Sequence, residues 1–153
     1  MRHRLTWTTL GRQPIIDAGC AGFLCRFLRA LAFEERARIL LLGIVSTHVH
    51  LLIATHPTTN LPRLIQRLKG ASARTATIER HSGASTPLRW APGYNIQSVS
   101  QSHLEATRDY LRSQPLHHLG EAIPGWHGDT LVEEWRDPLQ RKPFRASDAE
   151  QGL

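Results

Sequence analysis

The chain has 153 residues, enough for one hydrophobic core and short for two independent ones, so a single domain rather than a multi-domain enzyme is expected. Its hydrophobic fraction is 41%, and its longest apolar stretches are broken by Arg, Glu or His well short of the roughly 20 residues of a membrane span, which reads as a soluble protein. The formal charge is +6, and every cation except Lys69 and Lys142 is an arginine; guanidinium forks grip phosphate and stack on bases, so a nucleic-acid partner is favoured over a generic solubilising shell.

The N-terminus, Met1-Arg2-His3-Arg4, is basic, but no uninterrupted apolar region follows it, so a cytoplasmic protein without a secretory signal is expected. Residues His3–Thr9, "HRLTWTT", mix β-branched and aromatic residues and read as a first strand, closed by a turn over Gly11–Pro14. From about Asp17 to Arg36, Phe23, Phe27, Leu28 and Leu31 fall at helical spacing, and Asp17 is placed to cap the helix. Cys20 and Cys25 lie on that helix five residues apart and point in different directions, so reduced thiols are expected. Ile39–Val45 and Val49–Ala54 are apolar strands joined through Ser46-Thr47 as a hairpin. Leu61–Glu79 reads as a second helix with Leu61, Leu64, Ile65 and Leu68 on one face and Arg63, Arg67, Lys69 and Arg74 elsewhere.

A Ser-, Gly- and Pro-rich loop over His81–Gly93 leads to a fourth strand, Tyr94–Ser100. Ser102–Gln114 follows as a third helix, opened by the capping-box spacing of Ser102 and Glu105 and ended by Pro115. The order β-α-β-β-α-β-α predicts an α+β fold, a ferredoxin-like antiparallel sheet with helices packed on it. Residues 1–120 form the catalytic domain in this reading. Residues 121–153 are a basic tail in which Trp126, Trp135, Arg136, Arg141 and Arg145 could stack on bases or cover the core.

Chemistry is concentrated in "VSTHVHLLI", Val45–Ile53. Side chains alternate along a strand, so His48 and His50 share a face while Val49 points the other way, which is chelating geometry for one metal ion. Standing alone, an H-x-H is more often a pair of half-exposed strand residues than a ligand set. The histidine-triad nucleotide hydrolases carry a third histidine at the same alternation, a position held here by Leu52, and a (β/α)₈ barrel needs about 250 residues. Tyr110 and Gln114, four apart, stack on one face of the third helix and bring a phenol and an amide oxygen to the pair. Two imidazoles and a carboxamide oxygen leave open positions on a hard or borderline divalent ion, which can polarise a phosphate while the phenol attacks phosphorus.

In "THVHLLI" (Thr47–Ile53), "GYNIQSVSQS" (Gly93–Ser102), "YLRSQPLHH" (Tyr110–His118) and "LTWTTLGRQPIID" (Leu5–Asp17), the chain resembles the single-tyrosine transposases of the HUH endonuclease superfamily, the insertion-sequence and REP-associated types. The resemblance spans about residues 3–120. It implies that His48, His50 and Gln114 ligate Mg2+ or Mn2+, and that Tyr110 becomes linked to a DNA 5′ phosphate. It further implies a single-stranded, often hairpin-forming DNA substrate, no nucleotide cofactor, no membrane, and either a monomer or a homodimer that exchanges tyrosine helices. Arg63, Arg67, Lys69 and Arg74 are the candidate DNA contacts. Two departures stand out. Ser46-Thr47 replaces the Pro-Asn or Pro-Asp pair common in the family, and Pro115 biases Gln114 away from helical geometry, leaving His117 and His118 as substitutes unless they are a solvated helix end. The rival reading is a domesticated DNA-binding protein that keeps the fold and the basic helix without cleaving.

Overall fold

The computed structural model describes residues 1–79, 86–100, 103, 105, 106, 109 and 123–126. Alternation in the first seven strand residues sets everything else. In β1 (Arg2–Thr8) the odd positions His3, Leu5 and Trp7 are buried and the even positions are half exposed, as a strand with one covered face requires. A short 3-10 turn at Leu10–Arg12 leads to α1 (Ala18–Glu34), whose first turn is closed by Asp17: its Oδ1 accepts from Cys20 N at 2.8 Å. Such a cap contributes roughly 1 kcal/mol.

β2 (Arg38–Ile44) and β3 (His48–Ala54) follow as the expected hairpin, and α2 (Leu61–Ile78) is capped by Asn60, whose side chain accepts from Arg63 N. β4 (Asn95–Ser98) closes the described elements. The sheet order is β2-β3-β1-β4, with every neighbouring pair antiparallel. Each helix thus joins two strands that have another strand between them, the split arrangement expected of the predicted α+β class. Both helices lie on one face. Leu5 and Trp7, Ile39, Leu42 and Ile44, and Val49, Leu51 and Ile53 meet Leu24 and Leu28 of α1 and Leu64, Ile65 and Leu68 of α2 in one core.

Ile123 joins that core and Trp126 packs against it near Gly22 of α1, so this stretch of the basic tail covers the core. Trp135, Arg136, Arg141 and Arg145 lie outside the described residues. Cys20 is buried and Cys25 half-buried, both as free thiols; burial, with a smaller push from the Asp17 carboxylate, raises the Cys20 thiol to about 12, so it stays protonated. Among the described residues no helix is long and apolar enough to cross a membrane.

β4 is shorter than the expected Tyr94–Ser100, because it is an edge strand pairing only with β1, from His3↔Ser98 to Thr6↔Asn95. Most of the expected helix Ser102–Gln114, including its two chemical residues, lies outside the described residues.

Candidate metal and nucleic-acid site

On the face away from α1 and α2, β3 presents His48, His50 and Leu52, between Thr8, Thr6 and Arg4 of β1 and Gly43 and Leu41 of β2. The two imidazole centroids are 4.4 Å apart, with the rings at 76°. His48 is buried and His50 half-buried. Each ring is held by a threonine: Thr47 Oγ1 lies 2.8 Å from Nδ1 of His48, and Thr6 Oγ1 lies 3.0 Å from Nδ1 of His50.

The Thr6 contact follows from the register that pairs it with His50, a partner 44 residues away that nothing in the local sequence signals. Thr47, next to His48, stands where the resembled family commonly has Asn or Asp, and here its hydroxyl engages the His48 ring. With both Nδ1 atoms within hydrogen-bond reach of a hydroxyl, Nε2 is the nitrogen each ring could offer to a ligand. Two imidazoles this close could hold one divalent ion between them. Among the described residues no group of three His, Cys, Asp or Glu side chains forms a closed metal cage. Tyr110, Gln114, His117 and His118 lie outside the described residues.

The expected basic face of α2 is divided in use. Arg63, Arg67 and Arg74 follow one another along an exposed stripe. Arg67 Nε pairs with Glu35, the residue just past the end of α1, at 2.5 Å. Lys69 is half-buried and its ammonium donates to two backbone carbonyls; burial lowers its pKa.

Beyond the end of β3, a cleft of about 400 Å³ opens between the end of α1 and the start of α2, lined by Arg36, His56, Thr59, Asn60 and Arg63 among others. Since Arg67 neutralises Glu35 on its wall, the cleft presents the guanidinium groups of Arg36 and Arg63. Arg36, at φ +59, is a cation that sequence reading passed over as a helix end. The cleft lies at the far end of β3 from His48, about 20 Å of strand away.

The comparisons with known proteins agree with one another. A family model described as "Transposase IS200 like" matches residues 1–114. Over 120 residues the chain is 28% identical to the ISDra2 transposase TnpA of Deinococcus radiodurans, covering 74% of this chain and 84% of that protein. A crystal structure of a candidate transposase from Deinococcus radiodurans R1 superposes with a TM-score of 0.58 at 26% identity, over 80% of this chain and 92% of that one. The structure of a REP-associated tyrosine transposase bound to a REP hairpin gives a TM-score of 0.62 over 76% of this chain and 67% of that one, and at 11% identity it speaks for the fold alone. With three quarters of its length matched by the family model, the chain belongs to the IS200-like transposase family.

Proposed function

We propose that this transposase cleaves and rejoins single-stranded, hairpin-forming DNA in a metal-dependent reaction through a 5′-phosphotyrosine intermediate on Tyr110, in the cytoplasm. The observation that carries the reading is the pair His48 and His50 on one strand face, each ring oriented through Nδ1 by a threonine hydroxyl. If Nδ1–H donates to that oxygen, each Nε2 is free of a proton and basic enough to ligate. Gln114 would add an amide oxygen, and a donor set finished by phosphate and water oxygens suits Mg2+ or Mn2+. Such an ion, when bound, withdraws charge from the scissile phosphate and makes phosphorus more electrophilic.

Tyr110 performs the covalent step. Its Oη forms a bond to phosphorus, the P–O3′ bond breaks, the phenolic proton passes to solvent, and the departing strand gains a proton to become a 3′-hydroxyl. Rejoining reverses the exchange: a 3′-hydroxyl attacks phosphorus and the phenol leaves, so the phosphodiester energy is retained throughout. Arg63 and Arg74, with Arg36 in the cleft, hold backbone phosphates, and Arg67 adds to that stripe while tied to Glu35. A homodimer exchanging tyrosine helices and a self-contained monomer both accommodate this chemistry.

The test is incubation of the protein with end-labelled hairpin DNA carrying a single-stranded flank, with Mg2+, followed by denaturing electrophoresis. Label that migrates with the denatured protein is the expected result. Binding without any adduct across diverse hairpins would make the protein a non-cleaving DNA binder that keeps the same fold. Thr6→Val isolates the orienting hydroxyl. We expect Mn2+ affinity to fall by about 10- to 100-fold, read by titration, with an unchanged circular dichroism spectrum; unaltered affinity would remove Thr6 from the site.

A further inference from the structure

Lys69 sits among the arginines of α2 and reads as one more phosphate contact, yet its ammonium is engaged within the protein. Nζ donates to the carbonyl of Ala91 at 2.8 Å and to that of Gly93 at 2.5 Å. Gly93 takes φ +84, which glycine adopts without steric cost. One turn along α2, Trp90 Nε1 donates to Ser72 Oγ at 3.0 Å, and Ser72 in turn donates to the Lys69 carbonyl. The Trp90 ring packs edge-on against Trp7, with centroids 5.8 Å apart. Segment 90–93 is thereby clamped to α2 by three side-chain hydrogen bonds and to β1 by one aromatic contact.

The same segment grips the end of β1. Ala91 N donates to Thr8 O at 2.8 Å, Leu10 N to Arg89 O at 2.9 Å, and Thr9 forms an isolated bridge with Trp90. The end of β1 then grips the turn that introduces β3, since Thr9 N donates to Thr47 O at 2.7 Å and Thr8 is the register partner of His48. The last link is Thr47 Oγ1 on His48 Nδ1. A run of hydrogen bonds, joined through the backbone of Ala91, Thr8–Thr9 and Thr47, therefore leads from Lys69 on one side of the sheet to the His48 imidazole on the other.

We infer that Lys69 is a positioning residue for the histidine pair, fixing segment 90–93 and through it Thr8, Thr9, Thr47 and the orientation of His48. The inference rests on the reading that His48 and His50 hold a divalent ion. The loss of the Lys69 amine's hydration, which lowers its pKa, accords with a lysine serving the fold's interior. The Lys69→Met side chain keeps the aliphatic stem and removes all three donors, whereas Lys69→Arg can still bridge two carbonyls.

The experiment measures, for the full chain and its variants, the Mn2+ dissociation constant, the thermal midpoint, and the salt dependence of metal-free single-stranded DNA binding. Lys69→Met is expected to weaken Mn2+ binding about tenfold with the salt slope unchanged, and Lys69→Arg to recover most of that affinity. A fall of about 0.7 in the salt slope with unchanged Mn2+ affinity would make Lys69 a phosphate contact and overturn the inference. So would a lowered thermal midpoint with unchanged Mn2+ affinity, which marks a purely structural lysine.

If Lys69→Met does not fold, Trp90→Phe decides, because it keeps a ring against Trp7 and removes the bond to Ser72. Weakened Mn2+ binding in that variant supports the relay, and wild-type affinity overturns it. Wild-type protein that binds no Mn2+ defeats the metal reading itself, a result distinct from wild-type affinity in the variants.

Discussion

Tyr110→Phe is expected to abolish the covalent protein–DNA adduct while leaving the affinity for the same hairpin DNA within about twofold. The substitution removes one oxygen and keeps the ring's size and apolar area, while the proposed atom that bonds phosphorus is lost. Nucleophilic loss of this kind is absolute for the covalent product, since no other group at that position can form a phosphate ester. Denaturing electrophoresis reads the adduct and a gel shift reads the binding. An undiminished adduct in Tyr110→Phe would assign the nucleophile elsewhere, Tyr94 being the chain's other tyrosine and 41% exposed. Mixing Tyr110→Phe with His50→Ala adds the assembly: recovered adduct in the mixture requires one chain's tyrosine to serve another chain's histidines.

The second large effect is expected for His50→Ala, with Mn2+ affinity falling at least about 100-fold and adduct formation about 1,000-fold, on the scale of several kcal/mol of lost charge stabilisation at phosphorus. His50 is the cleaner of the two histidines to alter, because it is half-buried and its ring meets the Thr6 hydroxyl from across the sheet. His48 is buried beside Thr47, so its removal also leaves a void. Isothermal titration with Mn2+ and the adduct assay check both numbers, and single-stranded DNA binding in the absence of metal should be retained. Full adduct formation by His50→Ala would refute a histidine-held ion.

Much of this architecture is legible in the sequence where the determining physics is local. The Asp17 cap is a contact three residues long, the helices announce themselves by apolar spacing, and the shared face of His48 and His50 follows from the period of a strand. The same reading places the strand bounds within a residue or two; it ends β1 at Thr9, whose amide instead reaches Thr47 across the neighbouring turn. What local patterns cannot carry is pairing over distance. Thr6 becomes a partner of His50 through a register fixed by the whole sheet, and Lys69 finds its carbonyls 22 and 24 residues downstream. A lysine on a basic helix looks identical in sequence whether it faces phosphate or a loop. Arg36 is hidden for a related reason: its position in the cleft depends on how the end of α1 meets the start of α2.

The strict alternation along β3 couples the chemistry of this protein to its stability in a way that constrains its history. His48, His50 and Leu52 occupy one face and Val49, Leu51 and Ile53 the other, so a slip of the strand's register by one residue would drive both imidazoles into the hydrocarbon core and bring valine and leucine to the site. Neither set can drift without the other. Insertions and deletions during divergence should therefore collect in the connections, such as residues 86–89, while the seven positions of β3 change only by substitution.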